Sequence, residues 1–370
     1  MRRTRAVLMA VLVVGACSPA APQPSASTPL AGSPGPSALG SATSVPSRAP
    51  VPTPSPTASP EHVSVPGRLL VQHFGNALDG SERGNSSPDY EKSRFYLMNP
   101  DGSAVSELLP GQPTGGKNMA DISPDLKSVV FMDWTDPTRI YEVGLDGTGF
   151  RTISTPCDCA EADPAYSSDG RRLAFVRTTK GVPQVGMRDL ASGKVTMLPG
   201  TQGTDAGGTS SDIPEQPAWS PNSKSIVYAM MLRNADGHLV SSRIEVFNLA
   251  SKAVLQLAVP PELALGEPKY SPDGSLILMA SRPAYATKGE AFGDVYTVHP
   301  DGTALTLLTP DEGTGASWTP DGKHILYYAQ NYIWLMDPDG ANKAQWSTVG
   351  PDLSTSETGY GYTTYWIPAP

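Results

Sequence analysis

The sequence has fewer basic than acidic residues, and this limits the classes of partner that the protein can bind. Its 370 residues include 27 Lys plus Arg against 36 Asp plus Glu, for a formal net charge of -9 at pH 7. Such a surface repels nucleic acid, and no basic stripe offsets the repulsion, so we exclude nucleic-acid binding. Hydrophobic residues make up 39% of the chain, which is enough for a sizeable core.

The sequence also lacks the common catalytic and metal-binding motifs. It has no GxSxG nucleophile elbow, and its five histidines are scattered without HExxH or paired spacing. Asp-Gly pairs recur, but without the alternating ligands and closing glutamate of an EF-hand, so turn chemistry explains them better. We therefore expect no catalytic residue, no cofactor and no metal.

No early hydrophobic run is long enough for a permanent membrane span. The run over residues 6–14 comes after a basic start, MRRTR, which is typical of an export signal. Val14-Gly15-Ala16-Cys17 resembles a bacterial lipobox, in which the cysteine after the cleavage point receives diacylglycerol. We expect residues 1–17 to be a lipoprotein signal peptide with the lipid on Cys17. The alternative is an ordinary signal peptide with an incidental cysteine.

The next segment contains almost only Ser, Pro, Ala, Thr and Gly and has no aromatic residue up to Pro60. Such a composition cannot bury enough surface to fold. We predict a disordered stalk over residues 18–62, with an extended reach of up to about 130 Å at ~3.1 Å per residue. The stalk would hold the folded part on the extracytoplasmic side of the cell membrane.

One four-residue sequence motif, which we call the phrase, occurs five times and predicts the architecture. It occurs, at spacings of 44, 53, 51 and 48 residues, as SPDL from Ser123, SSDG from Ser167, SPNS from Ser220, SPDG from Ser271 and TPDG from Thr319. An aromatic or apolar residue precedes each phrase, and an apolar run comes after it. Runs of this kind separated by Pro-Asp-Gly turns are typical of strands in hairpins. Four such runs in each repeat predict a propeller blade.

The first unit lacks its first strand, and the C-terminus supplies a match for it. Residues 68–74 match the second strand of the other units, residues 95–102 the third and residues 106–109 the fourth. Ile367 stands 48 residues after Thr319, with Trp366 in the aromatic position. A last strand that completes the first blade closes the ring without exposed edges. We therefore predict an all-β, six-bladed propeller over residues 63–370.

These units resemble the TolB-type propeller repeat, also called the PD40 or WD40-like repeat, over about residues 66–370. The Gly-His and Trp-Asp marks of true WD40 blades are absent. The resemblance implies this fold and the binding of other molecules. We expect a propeller that lacks both the folded N-terminal domain of TolB and the hydrolase domain of the related peptidases.

The two ends of the predicted propeller differ in the length of their connections. The tight Asp-Gly turns fall at one end, the tight-turn end, and the longer loops fall at the other, the long-loop end. Recognition usually uses long loops on a rigid scaffold, so we predict the working face at the long-loop end. The candidate binding residues at the channel mouth and on this face are Asp163, Gln216, Glu267, Asp133, Trp134 and Tyr285. Acids and aromatics suit a basic peptide, a cation or a polyhydroxylated ligand; solvated loops whose acids serve solubility are the alternative.

Cys157-Asp158-Cys159 is the sharpest local feature. Once Cys17 is acylated, two cysteines remain, and an even count in an oxidising compartment favours a disulfide. We expect a bridge that staples the loop between the second and third blades. A redox role or a soft-metal site is the alternative.

The sequence thus predicts a lipid-anchored, monomeric propeller that binds a protein or another envelope component as a recognition or scaffold module. The alternative is a lyase or glycosidase that acts on envelope polysaccharide. Such an enzyme needs paired carboxylates roughly 5 to 10 Å apart, for which Asp163 and Glu267 are the candidates. A third hypothesis is a sensor that binds a small ligand at the channel mouth.

Overall fold

The computed structural model describes residues 67–73, 93–99, 103–110, 116–133, 135, 137–204, 211–235, 237–281, 293–310, 313–329, 332–348 and 364–368. The predicted signal peptide and stalk lie outside these residues, and so do Cys17, Trp134 and Tyr285. Within the described ranges, the regular elements are β-strands and one 3-10 turn at Pro261–Leu263. None of the described segments is a helix long and apolar enough to cross a membrane.

The described strands form six four-stranded antiparallel sheets, which we number as blades 1 to 6. Blade 1 consists of β24 (Thr364–Pro368), β1 (Gly67–His73), β2 (Arg94–Met98) and β3 (Ser106–Leu108). Blade 2 consists of β4 (Lys117–Ile122), β5 (Ser128–Asp133), β6 (Ile140–Gly144) and β7 (Arg151–Thr152). Blade 3 consists of β8 (Ala160–Tyr166), β9 (Arg172–Thr179), β10 (Val182–Asp189) and β11 (Val195–Gln202).

The remaining three blades repeat this order. Blade 4 consists of β12 (Ser211–Trp219), β13 (Ser225–Arg233), β14 (Leu239–Asn248) and β15 (Val254–Gln256). Blade 5 consists of β16 (Leu265–Tyr270), β17 (Ile277–Ser281), β18 (Val295–Val298) and β19 (Thr306–Leu307). Blade 6 consists of β20 (Thr314–Trp318), β21 (Ile325–Ala329), β22 (Tyr332–Met336) and β23 (Ala344–Thr348).

The C-terminal strand closes the ring as the sequence predicts. Strand β24 pairs antiparallel with β1, with Trp366 opposite Leu69 and Tyr365 opposite Leu70. The Trp366 ring lies 5.5 Å from the Trp346 ring of blade 6, measured between centroids. The six-bladed, all-β propeller with a composite first blade is therefore confirmed.

The hydrophobic core is divided among the six interfaces between neighbouring blades. Consecutive residues of a second strand point to opposite sides, so that Tyr228 packs against blade 3 while Val227 and Ala229 pack against blade 5. A strand buried on both faces needs an unbroken apolar run, and the sequence places such a run after each phrase. The residue before each phrase lies in a different interface cluster: Ile122, Tyr166, Trp219, Tyr270, Trp318 and Trp366.

Each phrase forms the turn between the first and second strands of its blade. In blade 5, the Ser271 hydroxyl donates to Asp273 Oδ1 at 2.6 Å and accepts from the Leu276 backbone N–H at 3.0 Å. Gly274 takes a φ of +77°, in the left-handed region that favours glycine. Blades 2, 3 and 6 repeat the bond between the hydroxyl and the carboxylate, through Ser123, Ser167 and Thr319. These contacts are turn chemistry, as the sequence predicts for the Asp-Gly pairs.

Candidate binding site in the central channel

The innermost strands of blades 2 to 6 each contain a β-bulge at the same position of the repeat. These strands are β4, β8, β12, β16 and β20. The pairing with the second strand shifts register there, four residues before the phrase begins. The residues that open the bulges have positive φ: Met119 (48°), Asp163 (51°), Gln216 (53°), Glu267 (54°) and Gly315 (59°). Four of them are not glycine, and residues held in this region are strained unless the surrounding structure fixes them. A bulge also redirects a side chain, here toward the centre of the ring.

Hydrogen bonds between blades hold these bulges in place. The Gln216 backbone N–H donates to Asp163 Oδ2 at 2.9 Å, and the Glu267 backbone N–H donates to Gln216 Oε1 at 3.0 Å. In the same direction around the ring, the Asp163 backbone N–H donates to Sδ of Met132, on β5 of blade 2, at 3.5 Å. Each of these side chains therefore accepts the backbone N–H of the bulge in the following blade. Asp163, Gln216 and Glu267, which the sequence singles out, follow one another along the channel wall in blades 3, 4 and 5.

A second ring of side chains lies two residues further along each innermost strand. Each blade contributes one member. In order from blade 2 to blade 6, and then blade 1, they are Asp121, Ala165, Ala218, Lys269, Ser317 and Tyr365. The two rings line a cavity of about 250 Å³. Its wall also contains the aromatic residues that precede the phrases, namely Tyr166, Trp219, Tyr270 and Trp318.

The position of this cavity corrects one expectation. The sequence predicts that Asp163, Gln216 and Glu267 stand where the chain enters the innermost strands, at the long-loop end. They lie instead in the middle of β8, β12 and β16, and the cavity extends from them toward the tight-turn end. The physical reason is the bulge, which turns these side chains into the channel half-way along each strand.

Lys269 and Tyr365 connect blades on opposite sides of the channel. Lys269 Nζ donates to the Ala316 backbone carbonyl at 3.0 Å and lies 5.1 Å from the centroid of the Tyr365 ring. The Tyr365 hydroxyl donates to the Ala120 backbone carbonyl at 2.7 Å. These contacts join blades 5, 6, 1 and 2, and the cation–π contact is stronger where water is excluded.

Burial dominates the electrostatics of the second ring. It raises the pKa of Asp121 to about 6, although the Tyr166 backbone N–H, which donates to Asp121 Oδ2 at 2.7 Å, and the Lys269 ammonium both favour the carboxylate. Burial lowers the pKa of Lys269, and the nearby Glu267 and Asp121 carboxylates partly offset this. The pKa of Tyr365 is raised by burial and by the same two carboxylates, so its hydroxyl stays protonated.

The cavity can recognise a group that carries positive charge or that donates hydrogen bonds. Three carboxylates (Asp121, Asp163 and Glu267) face one ammonium (Lys269) among its lining residues. Tyr and Trp side chains form much of the remaining wall. A concave, mostly apolar site with a few convergent polar groups is the usual form of a binding pocket.

Asp133 has a structural position away from this cavity. It is fully buried at the end of β5, on the long-loop end. Its backbone N–H donates to the Arg139 carbonyl at 3.1 Å, and its Oδ1 accepts from the Arg139 backbone N–H at 3.1 Å. Both contacts close the connection from β5 to β6, so Asp133 does not join the three channel residues.

Sequence reasoning missed Asp121, Lys269 and Tyr365. A signal for them exists, because Asp121 and Lys269 stand two residues before their phrases and Tyr365 stands two residues before Ile367. Aligning the repeats on the phrase and comparing that column would have placed the three side chains on one ring.

The structure joins Cys157 and Cys159 by a disulfide in the connection from β7 to β8, between blades 2 and 3. Among the described residues, these two cysteines and Glu161 form the one group of three potential metal ligands, with the ligand atoms within 4.8 Å of one another.

No family model matches the chain. In sequence it is similar to the Tol-Pal system protein TolB of Francisella tularensis subsp. holarctica, with 26% identity over 196 residues, which cover 52% of this chain. The match spans 41% of that relative, so the chain matches about two fifths of its length.

Two solved structures share the fold. TolB from Acinetobacter baumannii superposes with a TM-score of 0.58 and 19% identity over 82% of this chain and 67% of that one. A structure from Agrobacterium tumefaciens assigned as TolB gives a TM-score of 0.51 and 17% identity over 82% of this chain and 99% of that one. The chain is therefore a six-bladed β-propeller that resembles TolB in sequence and in fold.

Proposed function

We propose that this chain is an exported binding module that takes a segment of a partner protein into the channel cavity and does no chemistry on it. The observation that carries the proposal is the meeting of Asp121, Asp163, Glu267 and Lys269 around one cavity with aromatic walls. Hydrogen bonds between blades 3, 4 and 5 hold Asp163 and the Glu267 backbone before any partner arrives, which reduces the entropy lost on binding.

The chemistry of the lining favours a cationic side chain of the partner. A lysine or arginine group would be attracted by the carboxylates, and its aliphatic stem would pack on the aromatic rings. The name of the relative from Francisella tularensis, a Tol-Pal system protein, supports a protein as the partner.

The proposed location is the extracytoplasmic face of the cell membrane. The export signal and the lipobox-like Cys17 support anchoring by a lipid, and the Pro- and Ser-rich segment after Cys17 supports a stalk between membrane and propeller. The propeller would then work where a partner in the envelope is within reach.

Partner capture from a solubilised envelope fraction tests the binding site. The immobilised chain is compared with a double variant, Asp163→Asn with Glu267→Gln, which keeps hydrogen-bond acceptors but removes two charges from the cavity. Glu262→Gln is the matched control, because Glu262 is exposed and lies in the 3-10 turn outside the cavity. Mass spectrometry identifies the partner that each protein retains.

We expect the wild-type chain and the Glu262→Gln variant to retain the same partner. The double variant should retain at least about tenfold less of that partner, because each lost charge contact is worth roughly 1 kcal/mol or more in a site of low dielectric. Equal capture by all three proteins, with circular dichroism showing all three folded, contradicts the proposed site.

A further inference from the structure

We propose that the Cys157–Cys159 disulfide is a thiol–disulfide exchange site, in which the thiolate of a partner attacks Cys157 Sγ and Cys159 leaves. This activity goes beyond the binding function proposed above. The site precedes β8 on the long-loop end, whereas the cavity extends toward the tight-turn end, so that each proposal can fail without the other.

The two cysteines differ in exposure, and the difference gives the exchange a direction. Cys157 is partly exposed and stands between exposed neighbours, Pro156 and Asp158. Cys159 is buried, with 7% of its surface accessible. A thiolate from solvent or from a docked protein can therefore reach the sulfur of Cys157, whereas the sulfur of Cys159 is shielded.

A guanidinium group contacts the backbone of the disulfide loop. The Arg139 guanidinium donates to the backbone carbonyls of both cysteines, through Nη2 to Cys157 at 3.3 Å and through Nη1 to Cys159. A neighbouring guanidinium favours a thiolate over a thiol, and a thiolate of lower pKa is a better leaving group. The same two bonds hold the loop in place when the disulfide opens.

The nearest carboxylate does not cancel this effect. Glu161 lies within 4.8 Å of the sulfurs, but its two oxygens each accept a bond of 2.8 Å from Arg188 Nη2. Arg177 Nε also donates to Glu161, at 3.0 Å. Two guanidinium groups therefore neutralise this one carboxylate.

A purely structural role explains this disulfide poorly. A crosslink stabilises a fold mainly by constraining the unfolded chain, and the effect grows with the length of the loop that it closes. This crosslink spans a single residue, Asp158. It therefore restricts the unfolded chain very little, while its position in a loop leaves one sulfur accessible.

The exchange balances as a two-electron transfer from a partner dithiol. A partner thiolate attacks Cys157 Sγ, the sulfur–sulfur bond breaks, and its electron pair goes to Cys159 as a thiolate. The second thiolate of the partner then attacks the partner sulfur of the mixed disulfide and releases Cys157. The partner is oxidised to a disulfide, Cys157 and Cys159 are reduced, and the two protons from the partner thiols pass to the two cysteines or to solvent.

The first test measures reduction under native conditions. All proteins are full-length and carry Cys17→Ser, so that Cys17 adds no thiol. The oxidised protein is incubated with dithiothreitol, and freed thiols are alkylated and counted by mass spectrometry while circular dichroism monitors the fold. We expect both cysteines to be freed while the propeller stays folded. An Arg139→Gln variant should be reduced severalfold more slowly, because the leaving thiolate loses its positive neighbour.

The second test measures which sulfur reacts, with oxidised glutathione as the probe. A Cys159→Ser variant, which keeps Cys157, should form the mixed disulfide at least about tenfold faster than a Cys157→Ser variant. Equal rates in the two variants overturn the proposal, and so does a wild-type disulfide that is reduced only after the chain is unfolded in guanidinium chloride. The wild-type measurement decides the case even where a variant fails to fold.

Discussion

Asp121 is a buried side chain whose ionisation should affect the stability of the propeller. Burial holds its pKa at about 6 in the folded state, above the ordinary value of 3.8. The folded protein therefore binds this proton more tightly than the unfolded chain does, so stability falls as pH rises from 4 to 7. The cost reaches up to roughly 3 kcal/mol, and water in the cavity reduces it.

An Asp121→Asn variant removes this cost and keeps an acceptor for the Tyr166 N–H. We expect the stability of the variant relative to wild type to increase between pH 4 and pH 7, as measured by urea unfolding at each pH. Asp273→Asn is the control with the opposite sign. The Ser271 hydroxyl and the Ser275 backbone N–H lower the pKa of Asp273 to about 2, so its contribution is lost as pH falls from 4 toward 2. A pH-independent difference for Asp121→Asn contradicts the assignment.

Glu161 should be a sensitive ionic position within blade 3. Its carboxylate is fully buried and pairs with Arg177 and Arg188 of blade 3. Glu161→Gln leaves buried guanidinium charge without compensation and should lower the free energy of unfolding by about 3 to 5 kcal/mol.

The control for Glu161 is the exposed pair of Lys127 with Asp125, whose side chains are 81% and 61% accessible. Lys127→Ala should change the free energy of unfolding by no more than about 0.5 kcal/mol. Both changes in the free energy of unfolding are measured with denaturant. Equal losses in Glu161→Gln and Lys127→Ala would show that the buried ion pairs contribute no more to stability than the exposed pair does.

The channel illustrates which side chains a sequence can point to. Asp163, Gln216 and Glu267 stand out because polar residues occupy one column of the repeat, four residues before each phrase. Lys269 and Tyr365 do not stand out, because Lys269 resembles a solvated residue and Tyr365 resembles a core aromatic. Only the ring geometry brings them to one cavity. Asp133 looked like a loop acid, whereas its contacts with Arg139 make it part of the hairpin.

Among the turns, the phrase makes a prediction that can be tested in one repeat. The Ser271 hydroxyl is buried and accepts the Leu276 backbone N–H. Ser271→Ala leaves that donor without its partner and should cost about 1 to 3 kcal/mol of unfolding free energy. Ser271→Thr should retain most of it, because threonine takes this role at position 319. Ser275→Ala, at an exposed hydroxyl of the same turn, is the control; equal losses at 271 and 275 contradict the account.

The strands and turns can be predicted from the sequence far better than the bulges can. Apolar runs between Pro-Asp-Gly turns indicate strands, because strand burial and turn geometry each restrict the residues allowed. A bulge leaves no comparable mark: Met119, Asp163 and Gln216 share a conformation, although one carries a thioether, one a carboxylate and one an amide. The cavity depends on these bulges, so the sequence pattern alone does not indicate its position.

For the chain in its cellular setting, Cys17 gives the sharpest prediction. Cys17→Ser removes the residue that would carry the lipid, so the protein should move from the membrane fraction to the soluble extracytoplasmic fraction. Ser18→Ala, one residue further on, is the control and should leave the protein in the membrane fraction. Membrane association that survives Cys17→Ser would contradict a lipid anchor at this cysteine.

Closure of the ring by β24 underlies both the fold and the cavity, because this strand pairs with β1 and supplies Tyr365 to the channel. The sequence allowed this closure to be predicted, since the missing first strand of the first repeat reappears at the spacing of the other repeats.

The most direct test is thermal unfolding of a chain truncated after residue 362. We predict that its midpoint falls by at least about 10 °C, since loss of β24 uncovers the buried Leu69 and Leu70. Adding a synthetic peptide of residues 363–370 should restore part of the loss. A truncated chain that melts at the wild-type midpoint, with or without the peptide, would contradict the closed six-bladed ring.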